Sequence, residues 1–162
     1  MPRIYIGIGS NCGPRARNIR RGLQLLAEKG FRILKHSPVY ETLPVNMPGA
    51  RRFLNSVVAA ETNQPARDGL GRLRAIEREL GRPARHLRNV PRTLDLDLLL
   101  YGRAIIRERG LAVPHPGLPD RAFVLVPLAD IAPKLVHPVL RRRISTLLKH
   151  VNRKGVRRWT AH

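Results

Sequence analysis

The first thirty residues show two different hydrophobic periods, one after the other. Isoleucines recur at every second position of residues 3–9, and the run ends at Gly9, which predicts a buried or half-buried β-strand followed by a turn. Over residues 15–29 the apolar side chains recur every three or four positions, and Gly30 follows. That spacing predicts an amphipathic helix that ends at the glycine.

The same two periods predict the elements that follow. They are a broken strand over 31–40, a strand over 53–62, a helix over 65–80, a leucine-rich strand over 94–101 and a short apolar helix over 121–131. The order strand, helix, strand, strand, helix, strand is the ferredoxin-like βαββαβ unit of the α+β class, whose antiparallel sheet packs two helices on one face. We expect the extra C-terminal segment to cover the second face, so that helices lie on both faces.

Composition limits the classes of protein that this chain can belong to. A length of 162 residues with 43% hydrophobic residues fits one domain, 1–162, with a core of its own. Lysine and arginine total 31 against 11 acidic residues, and the net charge of +20 predicts attraction to polyanions. Acidic residues stop at Asp130, so we expect a basic, partly mobile C-terminal tail from about residue 141.

Cysteine usage and hydropathy indicate where the protein works. Cys12 is the single cysteine, which excludes an internal disulfide or a multi-cysteine zinc site and favours a reducing cytoplasm. No apolar run approaches the roughly 18 residues of a membrane helix. We therefore expect a cytoplasmic protein without a membrane span, and a monomer.

Candidate chemistry concentrates in the leucine-rich strand, where Asp95 and Asp97 interrupt the apolar run. Residues two apart in a strand lie on one face, about 6.5 to 7 Å from each other. Two such carboxylates repel unless a cation lies between them, and their oxygens suit Mg²⁺ that carries nucleotide phosphates. The alternative is an exposed strand face on which aspartate is merely tolerated, although aspartate is a poor strand former. The leucines of the strand are predicted to share the opposite, core-facing side: Leu94, Leu96, Leu98 and Leu100.

Further charged residues flank this strand. Glu77 lies on the apolar stripe of the preceding helix, where it pairs with an arginine for structure or holds metal-bound water or substrate, and the pattern leaves both open. Arg82 and Arg92 bracket a basic loop, and arginine forks bind phosphate oxygens in pairs. A carboxylate pair flanked by arginines is typical of phosphoryl transfer. Loop arginines are nevertheless more often a solvated surface.

Two other features give weaker signals. The glycines of residues 7–13 have the wrong spacing for a dinucleotide fingerprint and lack the lysine of a Walker loop, so they favour a tight strand-to-helix turn. His115 lies in a proline-rich loop and is predicted to contact a ligand rather than to fill the core. Cys12 has no obvious base nearby and is expected to be inert.

Seven short elements, in this order, resemble the 6-hydroxymethyl-7,8-dihydropterin pyrophosphokinase family of the folate pathway. They are Gly9-Ser10-Asn11 with Gly13, Tyr40-Glu41-Thr42 with Pro44, Phe53-Leu54-Asn55, Glu77 with Gly81-Arg82, the run from Pro91 to Asp97, the run from Val113 to Pro116, and Arg121 with Phe123, Pro127-Leu128 and Ile131-Ala132-Pro133. Each element alone is weak, but seven in one small domain make chance similarity improbable. The ferredoxin-like fold of the family agrees with the element order predicted above.

The resemblance implies an activity and a set of residues. The reaction is transfer of an intact pyrophosphoryl group from MgATP to the hydroxymethyl oxygen of the pterin, which leaves AMP. By this resemblance Asp95 and Asp97 hold two Mg²⁺ ions, and Arg82, Arg92 and Asp97 are catalytic. The implied pterin-binding residues are Thr42, Pro44, Phe53, Asn55 and Phe123. The implied nucleotide-binding residues are Glu77, Arg82, Arg92, His115 and Arg121.

The chain departs from the family pattern just before Pro91. The family often has Trp and Gly there, whereas this chain has Asn89 and Val90, so an aromatic lid residue is missing and Arg85 or Arg88 is expected to cap the site. This departure leaves open a paralogue that acts on a modified pterin.

The net charge leaves open a different class, an RNA-binding ferredoxin-like module. Such modules stack bases on aromatic side chains of the sheet, but this chain places Asp95 and Asp97 on a central strand, where they would repel phosphates. We therefore expect nonspecific polyanion binding and no specific nucleic-acid partner.

Overall fold

The computed structural model of the chain describes residues 1–43, 49, 51–81 and 92–160. Several residues singled out from the sequence lie outside these described residues: Pro44, Arg82, Arg85, Arg88, Asn89, Val90 and Pro91.

The described elements follow one another along the chain in a mixed order of strands and helices. They are β1 (Arg3–Ser10), α1 (Arg15–Glu28), β2 (Arg32–His36), β3 (Tyr40–Thr42), β4 (Phe53–Glu61), α2 (Ala66–Glu79), β5 (Asp95–Tyr101), β6 (Ile106–Glu108), β7 (Leu111–Val113), a 3-10 helix (Leu118–Asp120), α3 (Ala122–Ile131), α4 (Ile144–Leu148) and β8 (Val156–Arg158). Within the described ranges, no helix has both the length and the apolar surface to cross a membrane.

The main sheet has the strand order β5-β1-β4-β3-β8, and β2 also pairs with β4. Its pairings are antiparallel. The broken strand predicted over 31–40 is present as β2 and β3, and Ser37 marks the break by donating its backbone N–H to the carbonyl of Val57 at 2.9 Å. The predicted α+β, ferredoxin-like architecture is confirmed.

Helices cover both faces of the sheet, as predicted. The core on the side of α1 and α2 includes Ile4, Ile6, Ile8, Leu26, Leu54, Leu73, Ile76 and Leu96. The core on the side of α3 and α4 includes Tyr5, Val57, Leu99, Leu125, Leu128 and Ile144. Burial of these two apolar layers is the main force that holds the sheet between its helices.

The predicted orientation of Leu100 is wrong. Leu96 and Leu98 pack on the side of α1 and α2, whereas Leu99 and Leu100 both pack on the side of α3 and α4. The register between β1 and β5 shifts at this point, so Leu99 is an extra residue in β5. Such a bulge reverses the alternation of all side chains beyond it.

The basic segment after residue 141 has regular structure that the hydrophobic pattern did not predict. It contains α4 and β8, and β8 pairs with the edge strand β3. The backbone N–H of Trp159 then donates to the carbonyl of Val39 at 2.9 Å. The β6–β7 hairpin was also not predicted, because its two strands have only three residues each.

Replacement of Leu73 tests the core on the side of α1 and α2. Leu73 is fully buried, and Leu73→Ala leaves a cavity, so we expect the free energy of unfolding to fall by about 2 to 5 kcal/mol. Leu140→Ala removes the same atoms from an exposed position and is expected to stay within about 0.5 kcal/mol of the unsubstituted protein. Urea unfolding at equilibrium measures both. Equal losses in the two variants would contradict the assignment of Leu73 to the core.

Candidate active site

The carboxylates of Asp95 and Asp97 project from one face of β5, at its N-terminal end. Leu96, between them, is buried on the opposite face, while the aspartate side chains are 21% and 29% exposed. On the neighbouring strand β1, Gly9 pairs with Asp95 and Gly7 pairs with Asp97. Because glycine has no side chain, neighbouring side chains approach β1 closely at these positions: Asn55 at Gly9 and Leu99 at Gly7.

The electrostatics of the pair favour a cation. Burial, followed by the negative charge of Asp95, raises the pKa of the Asp97 carboxyl to about 7. The guanidinium Nη1 of Arg92 lies 3.2 Å from Asp95 Oδ2. Among the described residues no cluster of three or more His, Cys, Asp or Glu side chains could hold a metal ion. Two carboxylates fit Mg²⁺, which binds proteins through one or two carboxylates and takes its other ligands from phosphates and water.

His115 approaches the pair from the loop that follows β7. Its backbone N–H donates to the carbonyl of Leu99 at 2.8 Å, which holds the loop against β5. The N–H of Gly117 donates to His115 Nδ1 at 3.0 Å, so the neutral ring carries its proton on Nε2, 3.9 Å from Asp97 Oδ1. Burial, and then the positive charge of Arg121, lower the pKa of His115. The imidazole is thus a neutral hydrogen-bond donor.

Arg121 is held in place by a glycine and an aromatic ring. A Cβ atom at Gly117 would lie 2.5 Å from Arg121 Nε, so the guanidinium group passes directly over the glycine. Its central carbon lies 5.7 Å from the centroid of the Phe123 ring, within the range of a cation–π contact. The charge of Arg121 also lowers the pKa of Asp97 against the larger effect of burial, which places Arg121 in the field of the carboxylate pair.

A polar row on β4 and β3 continues the site away from the aspartates. Asn55 Nδ2 donates to Thr42 Oγ1 at 2.7 Å. A Cβ atom at Gly9 would lie 2.5 Å from Asn55 Oδ1, so the amide of Asn55 rests on the bare backbone of β1. Phe53 pairs with Thr42 and is partly exposed, two residues from Asn55 on the same side of β4. The structure therefore brings together Thr42, Phe53 and Asn55 of the residues predicted at this end, and Pro44 lies outside the described residues.

A cavity of about 290 Å³ adjoins Asp97 at the free edge of β5, between α2 and the β6–β7 hairpin. Arg74, Asp97, Glu108 and His115 line its polar part. Leu70, Leu98 and Leu111 line its apolar part. A pocket that joins an apolar wall to charged groups suits a ligand with a flat ring at one end and phosphates at the other.

Glu77 contacts the outer edge of β5. Its side chain is only 1% exposed, and Oε2 accepts a hydrogen bond from the backbone N–H of Leu96 at 2.8 Å. Arg74 Nη1 donates to Glu77 Oε1 at 2.8 Å and to the carbonyl of Leu96 at 2.9 Å. In the described part of the chain no strand pairs with this edge of β5, and the two side chains satisfy the backbone N–H and carbonyl of Leu96 there. These contacts support the structural alternative for Glu77 and explain why an arginine occupies position 74.

Sequence reasoning assigned no role to Asn11, although it lies in one of the family elements. Its amide is buried, and it joins two segments that enter the site. The N–H of Asn11 donates to the carbonyl of Arg92 at 3.0 Å, and Asn11 Oδ1 accepts from the N–H of Arg92 at 2.7 Å. Asn11 Nδ2 donates to the carbonyl of Arg51 at 3.3 Å. An asparagine directly after a strand often forms hydrogen bonds between its side chain and nearby backbone groups, and this was the signal in the sequence.

A carboxylate pair with arginines and a neutral histidine on an α+β sheet defines the class of enzymes that transfer phosphoryl groups. The model of the 7,8-dihydro-6-hydroxymethylpterin-pyrophosphokinase family matches residues 5–133. The chain belongs to this family. Members of the family use ATP and Mg²⁺, bind a pterin substrate and act in folate synthesis.

Two bacterial relatives are similar over their whole length. The 2-amino-4-hydroxy-6-hydroxymethyldihydropteridine pyrophosphokinase of Aquifex aeolicus is 37% identical, with 90% of this chain and 89% of the relative covered. The protein of the same name from Pseudomonas aeruginosa is 40% identical, with 96% of each covered. Several longer relatives named for folate synthesis also match, and this chain spans only 20% to 26% of their length.

A solved structure supports the fold. The Plasmodium falciparum HPPK-DHPS triple mutant superposes with a TM-score of 0.74 at 16% identity, over 91% of this chain and 44% of that chain. At this identity the similarity concerns the fold alone.

Removal of the Glu77 carboxylate tests its role at the edge of β5. Glu77→Ala leaves the Leu96 amide without its acceptor and removes the carboxylate that pairs with Arg74, so we expect a loss of about 3 to 5 kcal/mol in the free energy of unfolding. Glu79→Ala is the matched control, because Glu79 is 47% exposed and lies 4.0 Å from Lys29, and it is expected to cost less than about 1 kcal/mol. Chemical denaturation measures both. A Glu77→Ala protein as stable as the control would show that the carboxylate does not hold the strand.

Proposed function

We propose that this chain transfers the β- and γ-phosphoryl groups of ATP, as one unit, to the hydroxymethyl oxygen of 6-hydroxymethyl-7,8-dihydropterin. The observation that carries the proposal is the carboxylate pair of Asp95 and Asp97 on one face of β5, beside Arg92, His115 and Arg121. Family membership narrows the acceptor to a hydroxymethylpterin.

Asp95 and Asp97 are the residues that we assign to two Mg²⁺ ions. Their shared face of β5 and the raised pKa of Asp97 both fit such a role. When bound, the ions supply charge neutralisation on the triphosphate and activation of the attacking hydroxyl.

The nucleotide site is the cavity beside Asp97. The leucines of its wall are assigned to the base, and His115, which lines its polar part, is assigned to the phosphates. His115 donates from Nε2 without adding charge, and Arg121, fixed by Gly117 and Phe123, offers two parallel N–H groups. Arg92 is assigned to the same phosphates.

Arg82 and Glu77 complete the proposed nucleotide-binding residues, and different observations support the two. Arg82 keeps its proposed part in neutralising the phosphates on the basis of the family resemblance. Glu77 is proposed as a positioning residue, because it holds β5 and Arg74 in place.

The pterin site is proposed at the polar row. Phe53 and Phe123 are assigned to the two faces of the flat ring, since aromatic stacking orients such a ring and buries it. Asn55 and Thr42 already form a hydrogen bond with each other, so their remaining donors and acceptors are fixed in direction. The edge of the pterin is assigned to them, together with Pro44 of the family pattern.

The reaction needs one bond to form and one to break. The hydroxymethyl oxygen bonds to the β-phosphorus as it loses its proton, and the bond from that phosphorus to the oxygen bridging to the α-phosphate breaks. AMP leaves with the electron pair of that bond. The residues of this chain contribute by positioning the two substrates and by stabilising negative charge, which is most of what phosphoryl transfer requires.

The direct test measures AMP formed from ATP by the purified chain with Mg²⁺ and 6-hydroxymethyl-7,8-dihydropterin. Asp97→Asn keeps the shape of the side chain but removes its charge, so we expect turnover to fall by at least about 100-fold, beyond the usual cost of losing an outer-shell partner of a metal. Asp68→Asn makes the same change on the exposed first turn of α2 and is expected to keep full activity.

Two results would contradict the proposal. A folded protein that forms no AMP from these substrates would overturn the activity, and comparison with other pterin alcohols would then test the modified-pterin alternative. Near-normal turnover in Asp97→Asn would overturn the metal assignment alone.

Gly9→Ala tests the contact between β1 and Asn55. The added Cβ would lie 2.5 Å from Asn55 Oδ1 and must displace the amide, so we expect the KM for the pterin to rise about tenfold, with a smaller change in the KM for ATP. Gly71→Ala adds the same methyl group to an exposed helix position with nothing within 4 Å, and should leave both constants unchanged. Steady-state kinetics with each substrate varied in turn decide the outcome. An unchanged pterin KM in Gly9→Ala would remove Asn55 from the pterin site.

A further inference from the structure

A second cavity of about 290 Å³ lies on the side of the sheet opposite to the candidate active site. Leu54 forms part of its wall and packs in the core on the side of α1, whereas its neighbour Asn55 lies on the active-site face. Most of the other lining residues are four arginines and a tryptophan: Arg15, Arg17, Arg20, Arg51 and Trp159. We call this cavity the arginine pocket.

The arginine pocket carries more positive charge than its surroundings balance. Among its described lining residues there is no acidic side chain. Glu41 is the carboxylate that Arg15 contacts, at 3.0 Å, and it also lies 3.8 Å from Arg157. One carboxylate thus serves two arginines, and the charges of Arg17 and Arg20 add to the excess. Like charges held together are costly, and an anion relieves that cost.

Two of the arginines are already oriented. Arg15 Nη1 donates to the carbonyl of Arg52 at 2.8 Å, and Arg51 Nη1 donates to the carbonyl of Gly13 at 2.7 Å. Backbone carbonyls restrain these side chains without neutralising them. Guanidinium groups that are fixed before a ligand arrives lose less entropy when it binds.

The C-terminal segment supplies the remaining wall. Pairing of β8 with β3, and the hydrogen bond from Trp159 to Val39, hold the indole beside the arginines. Trp159 lies beyond residues 5–133, which the family model matches. The arginine pocket is therefore built in part from a segment outside the matched region.

We propose that the arginine pocket binds a phosphate-bearing anion, at a site separate from the ATP site. Arginine forks match phosphate oxygens in pairs, and the pocket offers several of them around one small volume. The phosphate could belong to a free small anion or to the backbone of a nucleic acid. Both sources present the same chemistry to the arginines.

The experiment uses Trp159, which is the single tryptophan of the chain, as its reporter. Inorganic pyrophosphate is titrated into the full chain without Mg²⁺ and with a chelator, and sodium chloride of equal ionic strength is the reference. We expect a saturable change in tryptophan fluorescence. In the double variant Arg17→Gln/Arg20→Gln we expect about tenfold weaker binding or complete loss.

The double variant Arg103→Gln/Arg142→Gln is the matched control. It removes the same charge at two exposed positions away from the arginine pocket and should bind as the unsubstituted chain does. Thermal unfolding checks that both variants are folded. No saturable change in the unsubstituted chain, or equal weakening in the two double variants, would overturn the proposal, because binding would then follow net charge alone.

A second arm identifies the source of the phosphate. A short single-stranded oligonucleotide is added to the complex with pyrophosphate. If the oligonucleotide displaces pyrophosphate at a concentration below that of pyrophosphate, the ligand of the arginine pocket is a nucleic-acid backbone. If the oligonucleotide does not displace pyrophosphate, the ligand is a free anion.

Discussion

Repulsion between two carboxylates on one face of β5 is the constraint on which the site depends. Burial beside Asp95 leaves the charged form of Asp97 unfavourable, as its raised pKa records. The strand that carries them is held at its outer edge by Glu77 and Arg74 and at its inner edge by β1. The fold therefore fixes the two carboxylates side by side, an arrangement that a bound cation would stabilise.

Hydrophobic periodicity predicted most of the fold, because long elements repeat their pattern often enough to be recognised. It gave the wrong face for Leu100, since an alternation of two counts residues along one strand, and the bulge at Leu99 depends on the pairing with β1. The short strands β6, β7 and β8 escaped prediction for a related reason. The partner of β8 is distant in sequence, so a local pattern does not contain it, and β6 and β7 have only three residues each, too few to repeat a hydrophobic period.

The candidate site divides in the same way. Asp95 and Asp97 were accessible to sequence reasoning because strand geometry alone places them together. His115 gave a weak signal from its proline-rich loop, and Arg121 needed the family resemblance, because only tertiary structure brings this region to β5. Glu77 stayed ambiguous until its partners were visible. Pro44 and Arg82 remain predictions from the resemblance.

The bonds of Asn11 have a thermodynamic consequence for the two subsites. This amide joins the carbonyl of Arg51, just ahead of the strand with Phe53 and Asn55, to the backbone of Arg92, just ahead of the strand with the aspartates. Through these bonds, a ligand that orders one segment would also act on the other. Thermodynamic linkage would make any such coupling reciprocal, with the same factor for both ligands whichever arrives first.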